Sequence, residues 1–303
     1  MDEIKKWQNH AGLILDSVNG FDVIECDTCG FKHIIPIPTE KEMKEYYTNQ
    51  FVPERPLYVE RMYEDIDWWR LQFSEQYDLF EKYLQPGRRD ILDIGCGIGL
   101  FLDTGKKRGW NVLGIEPSID AAEHGRKLGL EIINNVFNDG TAEKLSDFDV
   151  INLREVLEHL PNPLDVLKEC RTKLKRNGLI SVLVPNDYNP FQSLLRDSLE
   201  FKPWWVSPPI HINYFDPESL EHILQNAGFE IIEKTSTFPM ELFLLMGENY
   251  VGNDQLGRNC HSRRKTFELN LKNNNCEELR RRICQSLSQL GLGREILVVG
   301  KRI

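Results

Sequence analysis

Residues 90–102 read Asp90-Ile91-Leu92-Asp93-Ile94-Gly95-Cys96-Gly97-Ile98-Gly99-Leu100-Phe101-Leu102. The run from Ile91 to Ile94 has the length and apolar character of a buried strand. Three glycines at alternate positions follow, and Leu100 opens a pattern typical of a helix. Glycine has no Cβ, so the backbone turns tightly and a ligand approaches closely. Strand, glycine turn and helix in this order predict the nucleotide- or nucleoside-binding corner of a doubly wound α/β sheet.

The spacing of the three glycines separates two classes of cofactor. Dinucleotide folds need the pattern G-x-G-x-x-G, but here the third glycine comes one residue early and Leu100 follows it. The pattern Gly95-x-Gly97-x-Gly99, preceded by Asp93, resembles the first motif of class I S-adenosylmethionine-dependent methyltransferases. This resemblance implies that Asp93 and the three glycines hold the methionine end of S-adenosylmethionine. The glycine spacing also argues against NAD as the cofactor.

A second short apolar run, residues 111–115, ends in Glu116, 17 residues beyond Gly99. That spacing is close to the one expected of an acid that binds ribose. A carboxylate accepts hydrogen bonds from two adjacent hydroxyls, which suits a ribose diol. The alternative is that Glu116 only caps the helix that starts near Pro117. The resemblance also implies that adenine lies against the residues after Ile115, Pro117 among them, and near Asn138 and Asp139.

The remaining periodicity alternates between strands and helices. Strands are predicted at 90–95, 111–116, 130–136, 148–153, 178–184, 229–235 and 295–301, and helices at 99–108, 118–128 and 163–176. Such alternation predicts a parallel sheet with helices on both faces. The predicted fold is α/β: a doubly wound, mostly parallel seven-stranded sheet of the Rossmann-like methyltransferase type. A small N-terminal knuckle unit precedes it, and a helical insertion precedes the last strand.

Three parts are expected along the chain. Residues 1–50 form the knuckle unit, 51–88 an aromatic-rich helical cap, and 89–303 the methyltransferase domain. The segment 238–293 is too long for a turn and is expected to be structured. It is predicted to form a helical cap over the substrate side, with a dimer contact as the alternative.

Cys26-Asp27-Thr28-Cys29 is a C-x-x-C knuckle at the end of a predicted strand. Two such knuckles make a four-sulfur zinc site, but only one is present. The arrangement resembles methyltransferases of sugar and secondary-metabolite pathways that carry a zinc ribbon before the catalytic domain. Either His10 or His33 would supply a nitrogen ligand, and one replacement leaves the site incomplete. Zinc at Cys26 and Cys29 is one interpretation, and a knuckle held by its own turn is the other.

The run 148–163 resembles the fourth strand and following turn of the methyltransferase family. By that resemblance, Leu153 and Arg154 lie beside the methionine part of the cofactor. Glu155, Glu158 and His159 have the spacing of one helical face. His159 is a candidate general base. The run is also similar to the Glu-x-x-Glu-His of ubiquinone-pathway O-methyltransferases, where it is associated with magnesium, and a purely structural role is the third interpretation.

A second candidate base is His211, in a proline-rich loop that resembles the same family. Trp204 and Trp205 precede it and are candidates to wall an apolar acceptor pocket, and Tyr214 follows it as a further substrate candidate. Loops that leave the carboxyl ends of strands commonly contact substrate. The alternative is an ordinary loop with its aromatic side chains in the core.

Composition limits the classes of partner and compartment. The net charge of −10 disfavours a nucleic-acid binder, which usually has a basic face. No apolar run approaches the ~18 residues of a membrane span. Seven scattered cysteines without a visible signal peptide predict a reduced, cytoplasmic chain. Oligomeric state is not readable from the sequence.

Together these patterns predict methyl transfer from S-adenosylmethionine to a small-molecule acceptor, such as a sugar or another polar metabolite. Catalysis would consist of in-line alignment, exclusion of water and a histidine base where the acceptor needs one. A non-catalytic cofactor-binding or scaffold protein with the same fold is the main alternative. A zinc-knuckle nucleic-acid binder is disfavoured by the acidic balance and the single cysteine pair.

Overall fold

A computed structural model describes residues 9–50 and 56–303. The strands are β1 Gly12–Val18, β2 Phe21–Cys26, β3 Lys32–Ile35, β4 Asp90–Ile94, β5 Asn111–Ile115, β6 Ile132–Ile133, β7 Phe148–Arg154, β8 Leu174–Pro185, β9 Asn213–Tyr214, β10 Phe229–Ser236 and β11 Glu295–Arg302. The helices are α1 Glu40–Asn49, α2 Tyr58–Glu64, α3 Ile66–Tyr83, α4 Leu100–Lys107, α5 Ile119–Lys127, α6 Asp139–Ala142, α7 Pro163–Lys173, α8 Pro190–Leu199, α9 Pro217–Asn226, α10 Glu241–Leu245, α11 Asp254–Asn273 and α12 Glu277–Gln289.

The chain divides into two compact units. One comprises Met1–Pro38, Leu183–His222 and Glu233–Val298, and the other comprises Thr39–Val182, Ile223–Ile232 and Val299–Ile303. We call them the knuckle unit and the glycine-turn unit. The predicted divisions of the chain at 1–50, 51–88 and 89–303 remain predictions.

Seven strands form one sheet in the order β10-β11-β8-β7-β4-β5-β6. β4 pairs in parallel with β5 and with β7, and β5 pairs in parallel with β6. Side chains along β7 are buried at six of its seven positions, as expected of a strand covered on both faces. The predicted doubly wound, mostly parallel seven-stranded sheet is confirmed.

The largest differences from the predicted bounds are at β6 and at the junction of α7 with β8. β6 contains only Ile132 and Ile133, although the apolar pattern predicted a strand over 130–136. α7 ends at Lys173, before the predicted position 176, and β8 begins at Leu174, with Lys175 of that strand 3.1 Å from the Asp149 carboxylate. The segment 238–293 is helical, as predicted, with α10, α11 and α12; its role as a cap remains a prediction.

A four-stranded sheet in the order β1-β2-β3-β9 belongs to the knuckle unit. β1 and β2 are joined at Asn19-Gly20, where both residues have positive φ, as two-residue hairpin turns require. The Cys26–Gly30 turn then leads into β3, closed by the Gly30 amide donating to the Cys26 carbonyl at 3.0 Å. β3 pairs antiparallel with both β2 and β9.

Helix α3 supplies much of the core of the glycine-turn unit. Its buried residues recur at helical spacing and are Trp68, Leu71, Phe73, Gln76, Tyr77 and Phe80. Tyr77 stacks on Phe101 of α4, with ring centroids 4.7 Å apart and planes inclined by 19°. Trp68 lies in this core, and Gln76 is the one polar member of the buried stripe.

None of the helices within residues 9–50 and 56–303 combines the length and the apolar character that crossing a bilayer needs.

Candidate functional site

The glycine turn between β4 and α4 has the backbone that its sequence predicts. Gly95, Gly97 and Gly99 have φ of 70°, 53° and 84°, in the left-handed region that residues with a Cβ rarely adopt. A Cβ built on Gly97 would lie 2.8 Å from the hydroxyl oxygen of Tyr58, and one on Gly99 would lie 2.6 Å from a methyl carbon of Leu130. The turn therefore requires glycine on both conformational and steric grounds.

Glu116 follows β5 and turns its carboxylate toward the glycine turn. Its Oε2 accepts from the Gly97 amide at 2.8 Å, and its Oε1 accepts from the Ser118 amide at 2.8 Å. Ser118 caps α5, so the carboxylate links the glycine turn to the start of that helix. Burial raises the pKa of Glu116 to about 7, against the two amide hydrogen bonds, which lower it. Each oxygen keeps a further lone pair for another donor.

A buried polar network begins at Asp93, the penultimate residue of β4. Its Oδ1 accepts from the Asn152 amide nitrogen at 2.7 Å, and the Asn152 oxygen accepts from Gln76 Nε2 at 2.7 Å. Gln76 also donates to Ser181 Oγ at 2.8 Å and accepts from Arg154 at 2.8 Å. Burial raises the pKa of Asp93 to about 7. Asn152 and Arg154 oppose that rise, and the Glu116 charge adds to it.

The sequence argument missed Gln76 and Asn152. A signal was present for Gln76, since it interrupts the apolar stripe of α3, where a buried amide needs partners.

The other predicted cofactor residues occupy the ends of strands and helices in the glycine-turn unit. Leu153 is fully buried near the end of β7, and Arg154 ends that strand with its guanidinium 5.3 Å from the centre of the Phe73 ring. Pro117 is half-buried between β5 and α5, and Asp139 is exposed as the first residue of α6. Contact of these four residues with a cofactor remains a prediction.

His159 ends a short 3-10 turn, Leu157–His159. Its Nε2 lies 3.5 Å from Glu158 Oε1, and its ring meets the Tyr47 ring edge-on at 5.5 Å between centroids. The predicted shared helical face is wrong, because Glu155 has φ of 54° and is exposed whereas Glu158 is buried. The left-handed backbone at Glu155 ends the strand sharply, so helical spacing does not apply.

His211 lies in the loop before β9, in the knuckle unit, and is half-buried. The Tyr214 hydroxyl donates to the His211 carbonyl at 3.0 Å and accepts from the Ser207 amide at 3.3 Å, so it braces this loop. Trp205 is buried and Trp204 is half-buried, with their ring centroids 4.8 Å apart. Burial raises the pKa of Tyr214 above its usual range. Substrate contact at these residues remains a prediction.

A second buried polar cluster, in the knuckle unit, was not predicted. Glu241 is fully buried, and its Oε1 accepts from Gln192 at 3.0 Å while its Oε2 has no hydrogen-bond partner. Asp187, two residues after β8, is 2% exposed and its Oδ2 is also without a partner. Burial raises the pKa of Asp187 to about 7, and the Arg294 guanidinium opposes the rise.

The predicted zinc ligands Cys26 and Cys29 lie beside two histidines instead of one. His10 and His33 both present a ring nitrogen to the cysteine pair, and the four donor atoms lie within 4.8 Å of one another. Within residues 9–50 and 56–303, Glu155, Glu158 and His159 form no comparable group. Burial lowers the pKa of His33 to about 4, which keeps its ring neutral near neutral pH.

Comparisons with known proteins agree on the family. The family described as a methyltransferase domain matches residues 58–234, more than half of the chain. A ubiquinone biosynthesis O-methyltransferase of Dinoroseobacter shibae is 31% identical over 185 residues, 56% of this chain and 71% of that protein. One from Actinobacillus pleuropneumoniae is 36% identical over 102 residues, 30% of this chain and 44% of that protein. The chain spans about half the length of most of the curated relatives it matches, for example 49% of the enzyme from Histophilus somni.

Solved structures agree on the fold. Magnesium protoporphyrin IX methyltransferase from Synechocystis PCC 6803, solved with bound SAH, has a TM-score of 0.50 at 11% identity, over 88% of this chain and all of that one. The plantazolicin methyltransferase BpumL, also with SAH, has a TM-score of 0.50 at 15% identity, over 86% of this chain and 94% of that one. With the family match and the observed sheet order, these similarities show that the chain belongs to the family of class I S-adenosylmethionine-dependent methyltransferases.

Proposed function

We propose that this protein transfers a methyl group from S-adenosylmethionine to a small molecule. One observation carries the proposal: the Glu116 carboxylate lies 2.8 Å from the Gly97 amide, so the acid at the tip of β5 and the glycine turn form one site. A glycine turn next to an acid with spare acceptor capacity fits an adenosyl group, with the ribose diol on Glu116. A Cβ on Gly95, Gly97 or Gly99 would meet Val156, Tyr58 or Leu130 respectively, so the turn has no room for side chains.

Different residues are proposed to bind different parts of the cofactor. Asp93, Gly95, Gly97 and Gly99 would hold the methionine end, with Leu153 and Arg154 beside it. The ribose would bind Glu116, and adenine would lie against Pro117 and near Asp139. The Asp93 carboxylate accepts from the Asn152 side chain, which Gln76 holds in turn, so Asp93 is pre-oriented before a ligand arrives.

When bound, the cofactor supplies a methyl group already activated by its sulfonium sulfur. The contribution of the chain is therefore to align the reacting atoms, to exclude water and to remove a proton from the acceptor. Two histidines are proposed for the last task, His159 in the glycine-turn unit and His211 in the knuckle unit. An imidazole has a pKa near working pH, which suits proton transfer.

The acceptor is proposed to be a polar, hydroxyl-bearing metabolite. The matched relatives are named as O-methyltransferases, which supports oxygen as the atom that receives the methyl group. A sugar or another polar metabolite is proposed on the resemblance of the N-terminal C-x-x-C unit to methyltransferases of sugar pathways.

The test uses the full chain, S-adenosylmethionine and a panel of phenols, sugars and other polyols, with S-adenosylhomocysteine formation as the readout. We expect product that depends on an added hydroxylated acceptor. Replacing His159 or His211 by glutamine identifies the base: the correct one lowers kcat and changes its pH profile while cofactor binding persists. Cofactor binding without turnover on a broad panel would favour a binding or scaffold role, and a folded chain that binds no cofactor would contradict the proposal.

A further inference from the structure

The donor atoms of His10, Cys26, Cys29 and His33 are arranged like the ligands of a tetrahedral metal ion. His10 Nδ1 lies 3.0 Å from His33 Nε2, 3.3 Å from Cys29 Sγ and 3.8 Å from Cys26 Sγ. Zinc bonds of about 2.3 Å to sulfur and about 2.0–2.1 Å to nitrogen imply tetrahedral edges of roughly 3.4 Å between nitrogens and roughly 3.6 Å between nitrogen and sulfur. The observed separations fall close to those edges.

The surroundings orient these donors toward a common centre. His33 Nδ1 lies 2.9 Å from the Ile34 carbonyl oxygen, so this nitrogen carries the proton and Nε2 is left with a lone pair that faces the cluster. Metal-bound histidines usually donate their second ring nitrogen to a carbonyl in this way. The Cys29 amide nitrogen lies 3.4 Å from Cys26 Sγ, where it stabilises a thiolate. A simple contact between two imidazoles would need neither arrangement.

We propose that His10, Cys26, Cys29 and His33 bind one zinc ion in a closed, structural site. Two sulfurs and two imidazole nitrogens in a tetrahedron favour zinc over magnesium or calcium, which prefer oxygen. Four protein ligands leave no position for water or substrate, and this distinguishes structural from catalytic zinc. Two thiolates balance the charge of the ion, so the filled site is neutral.

The site would add a link between three pieces of the knuckle unit that already belong to one antiparallel sheet. His10 precedes β1, the cysteines bracket the turn after β2, and His33 lies in β3. His33 is also paired with Asn213 of β9, two residues after His211. The ion therefore fastens the edge of the sheet on which β9 and the His211 loop depend, and we expect its loss to loosen that loop.

The test is the metal content of the full chain, purified with zinc and then dialysed against zinc-free buffer. We expect about one zinc per chain in the wild type and in Cys276→Ser, a control cysteine outside the cluster, and loss of the zinc in Cys29→Ser and in His33→Ala. Cofactor binding measured on the same samples reports the glycine-turn unit separately, so failure of the zinc proposal and failure of the methyltransferase proposal are distinguishable.

If the cluster variants do not fold, measurements on the wild type still test the zinc proposal. Cobalt substituted into it should give the visible absorption bands of a tetrahedral site with thiolate ligands, and a thiol-modifying mercurial should release one zinc per chain to a chromogenic chelator. A folded wild type that keeps no zinc after dialysis overturns the proposal. Equal zinc in the wild type and in folded Cys29→Ser also overturns it.

Discussion

Replacing Glu116 by glutamine tests the proposed ribose contact with almost no change of shape. The carboxylate now accepts from the Gly97 and Ser118 amides, one on each oxygen, and keeps further acceptor capacity for two ribose hydroxyls. A glutamine has one oxygen, so one amide and one ribose hydroxyl would face an NH₂ group instead. A lost hydrogen bond to a charged group costs about 1.5–3 kcal/mol. Cofactor affinity should therefore fall about 10- to 150-fold.

Stability should change much less than affinity in Glu116→Gln. Burial already raises the pKa of this acid to about 7, so the native state gives up free energy to keep it ionised at neutral pH. The neutral amide removes that penalty and offsets part of the cost of one poorly paired backbone amide. A large loss of cofactor affinity with a small change in stability would mark Glu116 as a binding residue and not only as a support of the turn.

The assay is isothermal titration calorimetry with S-adenosylhomocysteine, accompanied by thermal unfolding of each sample. The matched control is Glu123→Gln, an exposed position of α5, which should bind like the wild type. An affinity for Glu116→Gln within about twofold of the wild type, in a folded protein, would refute the assignment of the ribose to this acid.

Three further predictions follow from the same site. Gly97→Ala should weaken cofactor binding at least about tenfold, because the position has positive φ and a Cβ there would be crowded. The control Gly87→Ala also has positive φ but open space around the Cβ, so urea unfolding should show a loss of only about 1–2 kcal/mol and cofactor binding should be normal. Cofactor affinity should rise as pH increases from 6 to 8, because burial raises the pKa values of Asp93 and Glu116 to about 7 and the ionised carboxylate is the stronger acceptor for the ligand's donors. Calorimetry showing no pH dependence would contradict this. Gln76→Leu should lower the free energy of unfolding by about 2–4 kcal/mol, since the buried Asn152 oxygen and the half-buried Arg154 guanidinium each lose a hydrogen bond, and an unchanged urea midpoint would count against the network.

Local sequence signals predicted the centre of the site. Asp93, the three glycines and Glu116 stand at strand ends or in a turn whose backbone only glycine adopts, so nearby residues specify their placement. The sheet was also predictable from local sequence, because apolar runs and helix caps recur at regular spacing. The short β6 shows the limit, since an apolar run marks a strand without marking how many of its residues pair.

Contacts between distant residues were not predictable in this way. Gln76 bonds Asn152 only because α3 packs on the sheet. Asp187 likewise lies near the Glu241 charge only through tertiary packing. Each of His10 and His33 was considered as a single partner of the cysteine pair, but not both together, because the hairpin register, rather than sequence spacing, brings His10 to the C-x-x-C turn. Helical spacing misled at Glu155, where one left-handed residue changed which side chains share a face.

A crystal structure of the full chain with S-adenosylhomocysteine tests the central claim most directly. The account predicts an adenosyl group at the glycine turn, with both ribose hydroxyls within hydrogen-bond distance of the Glu116 carboxylate and the amino-acid end beside Asp93. Density for the nucleoside at another place, or a Glu116 carboxylate that makes no contact with the ribose of a bound ligand, would contradict it.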